Sequence, residues 1–296
     1  MPTPQPGIFI EGSSHHYYLE YVLNADIGRD AVCRTLTEIQ SGDGTVNQVI
    51  GFGPQIWSEV SPEEVPVGFK SFDVIEGVEG FRNPATQRDL FFWLHGPNID
   101  DVFDRALDIQ KILSPIARLE LDERGFTYHD ARDLIGFIDG TANPKDDKAR
   151  LAALVPDGEP GAGGSFVLSQ KWVHDLDKFK AMAVPEQEAV IGRTKADSIE
   201  LEGDAMPDNS HVSRTDVSED GVPLKIYRRS APFGSVREKG LYFLAFSCAI
   251  HRFDIQLQRM FGVSGDGPYD RIIEFSQPLT SSYWFAPSQE CIADIL

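Results

Sequence analysis

Apolar and polar positions along the chain change period several times, and each change marks an element. Residues 16–23, HYYLEYVL, are rich in Tyr and aliphatic side chains and predict a strand. Residues 29–40 predict a helix, and 48–56 return to a strand-like composition. The run LFFWL at 90–94 is short and wholly apolar, which suits a buried strand. Over 99–113 a helical period puts Val102, Phe103, Ala106, Leu107 and Leu113 on one face, with Asp100 and Asp101 in the first turn, where the helix dipole favours acids. Residues 117–121 predict a strand that closes this half.

The second half repeats the order. SFVLSQKWV at 165–173 predicts a strand. Residues 175–191 predict a helix interrupted by Pro185. Strands are expected at 224–227 and 241–247, a helix around Phe253, Leu257, Met260 and Phe261, and a last short strand at 283–285. Strand, helix, strand, strand, helix, strand, twice over, predicts an α+β fold. It would have two ferredoxin-like (split βαβ) halves, 1–150 and 151–296, with antiparallel sheets and helices packed on their faces. The duplication lies in element order, with no sequence repeat. The glycines of VPDGEPGAGGS at 155–165 invite a phosphate-loop reading, but no Lys-Ser/Thr follows and a strand rather than a helix comes next. That segment is expected to be a connection or turn. An acidic, turn-rich loop, EGDAMPDN at 202–209, leads directly into His211.

Composition narrows the function classes. The 296 residues suffice for one large domain or two smaller ones. With 27 Lys and Arg against 46 Asp and Glu, the formal charge of −19 disfavours nucleic-acid binding, which needs a basic face. Cys33, Cys248 and Cys291 form no CxxC, no CxxCH and no zinc spacing, and suit buried free thiols in a reducing compartment. The opening MPTPQPGIFI lacks the charge and apolar core of a secretory signal, and the longest apolar run, at 241–250, is about half a membrane span. A cytoplasmic protein with no membrane partner is expected.

Three segments could carry chemistry. In GFIDGTANP at 136–144, Gly136 and Gly140 flank a single acid, Asp139, on a tight loop closed by Asn143-Pro144. An aspartate there either caps its own turn or serves a site. Seven histidines form no HxxxH or HExxH pair, and composition does not separate His211 from the other six. In IYRRSAPFG at 226–234, Arg228 and Arg229 are adjacent on a strand-like run and should face opposite sides. A buried Arg needs an anionic partner, in a structural ion pair or in a site.

GFIDGTANP, the Asn209-Ser210-His211 segment and IYRRSAPFG together resemble the dye-decolourising peroxidases, and IGRTK, GGSFV, GLYF and FAPS also match in order, the matches running from about residue 120 to 290. The compact length resembles the shorter bacterial, B-type branch. The resemblance implies haem b, one per chain, bound in the C-terminal half. It implies His211 as the iron ligand, Asp139 as the distal acid, Arg228 as the distal arginine and Ser230 as a third distal residue. Asp270 falls where a carboxylate accepts the ligand histidine's other N–H, and Arg193 near the haem propionates. The implied function is reduction of hydrogen peroxide and oxidation of dyes, phenolics or other small organic reductants through a ferryl intermediate. The alternative on the same scaffold is a haem carrier or a haem-iron-releasing protein, and a colourless binding or assembly module is a third reading. Tyr227, Tyr242, Tyr283 and Trp284 read as core aromatics rather than electron relays. An open sheet edge in each half predicts a homo-oligomer. The end of the chain at Leu296, soon after FAPS and without a basic or Gly/Pro-rich tail, gives no address for an encapsulating shell.

Overall fold

The computed structural model describes residues 2–40 and 44–296. Two sets of strands alternate with helices in the expected order. The first comprises β1 (His15–Leu23), β2 (Asn47–Phe52), β3 (Leu90–Gly96) and β4 (Ala117–Phe126), with α1 (Arg29–Gln40), α2 (Pro54–Val60) and α3 (Ile99–Leu113) between them. The helix α4 (Asp146–Ala153) spans the midpoint of the chain. The second set comprises β5 (Ser165–His174), β6 (Tyr227–Arg228), β7 (Ala231–Gly234), β8 (Lys239–Ser247) and β9 (Ser276–Ala286). Its helices are α5 (Leu176–Lys180), α6 (Val184–Ile191), α7 (His211–Thr215), α8 (His251–Met260) and α9 (Gln289–Ile295).

Within the first set the order is β2-β3-β1-β4, and within the second β7-β8-β5-β9, all antiparallel. Each is the split βαβ arrangement. The free edges of the two sheets then meet, at Phe52 opposite Phe285 and at Gly125 opposite Phe233. Eight strands therefore close into a barrel, and the edges that suggested association are paired within the chain.

Because side chains alternate across a strand, each strand sends one row inward and one outward. The inward rows meet in a wholly buried cluster that includes Tyr18, Phe91, Trp93, Val167, Tyr242 and Trp284. The rings of Tyr18 and Tyr242, from opposite walls, stack with centroids 3.8 Å apart. Glu20 is also fully buried there, ion-paired to Arg88 and accepting hydrogen bonds from Tyr242 Oη (2.8 Å) and Ser169 Oγ (3.2 Å). The outward rows pack under the helices, Leu19 and Tyr21 with Val32, Leu36 and Ile109 on one side, and Phe166 and Leu168 with Phe253 and Leu257 on the other. The N-terminal segment, of which Met1 lies outside the described residues, is pinned by Gln5. Its side chain donates to Ile50 O (2.8 Å) and Pro287 O (3.1 Å).

Several boundaries differ from expectation. The strand expected over 48–56 ends at Phe52, because Pro54 starts a helix at the position where its missing N–H costs nothing. On α3 the buried residues are Val102, Ala106, Ile109 and Leu113, whereas Phe103 (41% exposed) and Leu107 (51%) face outward. Pro185 stands in the first turn of α6 rather than kinking one long helix. Of residues 224–227 only Tyr227 pairs as strand, together with Arg228. The strand at 283–285 extends over eleven residues, its start masked by Thr280, Ser281 and Ser282, which are buried but polar.

Candidate active site

A cavity of about 250 Å³ opens between the outward face of the second sheet and the helices beside it. The sheet wall is Leu168, Gln170 and Trp172 of β5 with Leu241 and Phe243 of β8. The helical wall comes from α6, α7 and α8. Here a helix layer stands off its sheet and leaves apolar surface facing a void. Asp139, Arg193, His211 and Arg228 all line it.

His211 opens α7, capped by Ser210, whose Oγ accepts the Ser213 N–H (3.2 Å). The turn before it lies against Gly192, whose left-handed φ of 90° ends α6. A Cβ at Gly192 would come within 2.9 Å of Ser210 Oγ and Val212 Cβ, so glycine is required for the histidine segment to seat. His211 Nδ1 lies 2.6 Å from Asp270 Oδ2, and Asp270 is fully buried with Oδ1 accepting the Ile272 N–H (3.0 Å). A carboxylate only accepts, so the imidazole proton sits on Nδ1 and the Nε2 lone pair is left free. Among the described residues nothing hydrogen-bonds to Nε2.

The 133–142 loop also lines the cavity. Gly136 N–H donates to Asp133 O (2.8 Å) and Asp139 N–H to Ala131 O (2.9 Å). Gly136 has φ +97°, and a Cβ there would meet Lys195 Cε at 2.7 Å. His129 (φ 48°) and Ala131 (φ 63°) are also left-handed, a conformation unfavourable for non-glycine residues that the surrounding contacts hold in place. Asp139 Oδ1 accepts the Gly140 N–H (2.6 Å) and caps its own turn. Asp139 is also part of the cavity lining. Burial pushes it above the usual aspartate range, the nearby Arg228 guanidinium opposes that, and Asp133 adds to it.

Arg228 reaches the same space from β6. Its Nε is buried without a hydrogen-bond partner. Arg229 points the other way, its guanidinium 5.0 Å over Trp93 and bonded to Ile8 O and Ile10 O. Adjacent strand positions thus face opposite sides, as expected. Arg193 lines the wall with its guanidinium engaged by Glu200 and by Ser198 O (2.9 Å). Ser230 is not part of the lining, and its Oγ accepts the Leu244 N–H (3.3 Å). Tyr227, Tyr242, Tyr283 and Trp284 are all buried.

Two features had weaker sequence signals. Asn143, read as the end of a turn, clamps the loop to the arginine strand. Its Nδ2 donates to Arg228 O (2.7 Å) and its Oδ1 accepts the Arg228 N–H (3.0 Å). His174, Asp133 and Ser276 form a buried hydrogen-bonded chain in the cavity wall. The alternation 168, 170, 172, 174 along β5 puts His174 on the cavity face, but a pair 41 residues apart leaves no trace in spacing.

A closed double split-βαβ barrel that brings His211, Asp139 and Arg228 to one largely apolar cavity is the arrangement that the resemblance to a class of peroxidase implies. Residues 130–291 match the model of the Dyp-type peroxidase C-terminal family. A dye-decolorizing peroxidase of Rhodococcus erythropolis is 34% identical over 255 residues, covering 85% of this chain and 74% of that protein. One of Mycobacterium tuberculosis is 35% identical over 244 residues, 81% of this chain and 72% of that one. A solved variant of DypB from Rhodococcus jostii RHA1, in complex with haem, superposes with TM-score 0.91 at 33% identity over 99% of both chains. The chain belongs to the dye-decolourising peroxidase family.

Proposed function

We infer that the protein is a haem peroxidase that reduces hydrogen peroxide at the expense of an organic reductant, with His211 holding the iron and Asp139 and Arg228 handling the peroxide. The observation that carries this reading is the pairing of an unengaged imidazole Nε2 with an unpartnered, buried guanidinium Nε on the lining of one apolar cavity. A buried N–H of a cationic side chain left without an acceptor is costly unless a ligand completes it. The apolar sheet wall suits the faces of a porphyrin, and Arg193, already paired with Glu200 on the same wall, would have to share its charge with the porphyrin carboxylates. A haem held there by His211 would supply the redox chemistry of the reaction.

The chain's own groups divide the work. Asp270 fixes the tautomer of His211 and raises its basicity. Asp139 Oδ2, the oxygen not used by the turn, is the atom that can take a proton from one peroxide oxygen and return it to the other. Arg228 holds a fixed positive charge against the developing anion. Asn143 holds the two segments in register. Ser230 acts at one remove, by fixing the strand behind Arg228.

Peroxide-dependent dye oxidation and stopped-flow reaction with peroxide test the reading. Arg228→Leu should slow the peroxide reaction by roughly 10²-fold or more. Asp139→Ala should slow it by roughly tenfold or more. The Soret band should remain in both. Wild-type rates in both variants would overturn the assignments. Efficient haem release without peroxide turnover would instead favour the carrier reading. No helix among the described residues is long and apolar enough to cross a membrane. Three free cysteines support a reducing, cytoplasmic setting.

A further inference from the structure

Of the carboxylates on the cavity wall besides Asp139, Glu200 and Asp216 are paired with cations, and Asp133 has no part in the reaction as described. Asp133 lies six residues before Asp139 on the same loop, and both line the cavity. Its side chain is 11% exposed and that of His174 is 5% exposed. His174 Nε2 lies 3.2 Å from both Asp133 carboxylate oxygens, and Nδ1 lies 2.7 Å from Ser276 Oγ. Asp133 also accepts the Leu134 N–H (2.7 Å), while its own N–H donates to Phe137 O (2.9 Å). The chain therefore ties β5 and the start of β9 to the turn that aims Asp139.

The Ser276 hydroxyl can donate to a neutral imidazole or accept from a protonated one. Both charge states of His174 are thus satisfied without rearrangement, which a purely structural histidine does not need. The other charges on the wall are mostly committed. Arg193 pairs with Glu200, Lys225 with Asp216 (2.5 Å), and His211 with Asp270. Facing Asp139 are Arg228 from β6, His211 from α7 and Asp133 from its own loop. Asp133 and Asp139, facing one cavity, resist ionising together, and a cation on one of them relieves the other.

We propose that the Ser276–His174–Asp133 chain is a positioning and charge-setting device for Asp139, with the protonation of His174 deciding how strongly Asp133 opposes ionisation of the distal acid. This rests on Asp139 being the proton-handling group. The two partners then act in opposite directions. Removing the Asp133 charge makes Asp139 easier to ionise. Removing the His174 ring, which lies 3.2 Å from both Asp133 oxygens, leaves Asp133 unscreened and makes Asp139 harder to ionise.

The test uses holoprotein. The pH dependence of the peroxide reaction is measured by stopped flow. The protonated-carboxyl stretching band is followed by infrared spectroscopy and assigned by its loss in Asp139→Asn. In Asp133→Asn the acid limb and the band midpoint should move down by about half a pH unit or more. In His174→Gln both should move up by a similar amount. A limb that stays in place in either variant, or moves the same way in both, overturns the proposal, since a merely structural role lowers rates without opposite shifts. Asp133→Glu should return the limb toward wild type. If Asp139→Ala itself leaves the peroxide rate unchanged, the underlying assignment of Asp139 fails instead, and the infrared midpoints still report whether the three groups are coupled.

Discussion

Replacing Asp270 by Asn tests the proximal assignment in a way that shape alone cannot explain. The carboxylate is fully buried and accepts two hydrogen bonds, from His211 Nδ1 at 2.6 Å and from the Ile272 N–H at 3.0 Å. Asn is nearly isosteric but has one acceptor and one donor group. If its oxygen stays with Ile272, its NH2 faces Nδ1, and the imidazole proton moves to Nε2, removing the lone pair from the cavity. If its oxygen turns to His211, the buried Ile272 N–H loses its acceptor and meets a donor, at a cost of about 1–3 kcal/mol. Loss of such a supporting carboxylate typically lowers metal affinity by about 10–100-fold. That is about 1.4–2.7 kcal/mol at 1.36 kcal/mol per decade, within the same range as the orphaned donor. Transfer of haem to excess apomyoglobin measures it. The variant should release haem roughly 10–100-fold faster with its fold intact. Haem release at the wild-type rate would refute the claim that Asp270 selects the liganding tautomer.

Other outcomes follow from the same geometry. Asn143→Ala removes both bonds between the loop and Arg228, worth about 0.5–1.5 kcal/mol each. The peroxide rate should fall while haem content holds, and crystallography should show Arg228 displaced. Because burial holds the Asp139 carboxyl above its usual range, its base form is lost as pH falls through a value higher than a free aspartate's. The acid limb of the peroxide rate should lie correspondingly high, and Arg228→Leu should raise it further by removing the cation that favours ionisation. Tyr242→Phe deletes a hydrogen bond to the buried Glu20. It should cost about 1–3 kcal/mol, read as a lower Tm by calorimetry, with peroxide kinetics unchanged.

Local pattern alone determined most elements and their duplicated order, because period and turn residues act within a few positions of the chain. It also located Asp139 between its glycines and set Arg228 and Arg229 on opposite faces. Family resemblance, rather than periodicity, singled out His211, since nothing local in the sequence separates it from the other six histidines. Only the tertiary structure decided that two ferredoxin-like sheets close edge to edge, because the pairs Phe52–Phe285 and Gly125–Phe233 join residues distant in the chain. It likewise turned Phe103 and Leu107 outward, a choice set by the side from which α3 meets its sheet. The site belongs to that second category. Its aspartate, arginine and histidine come from three separate segments, and what assembles them is the gap left where helices stand away from the outer face of the barrel.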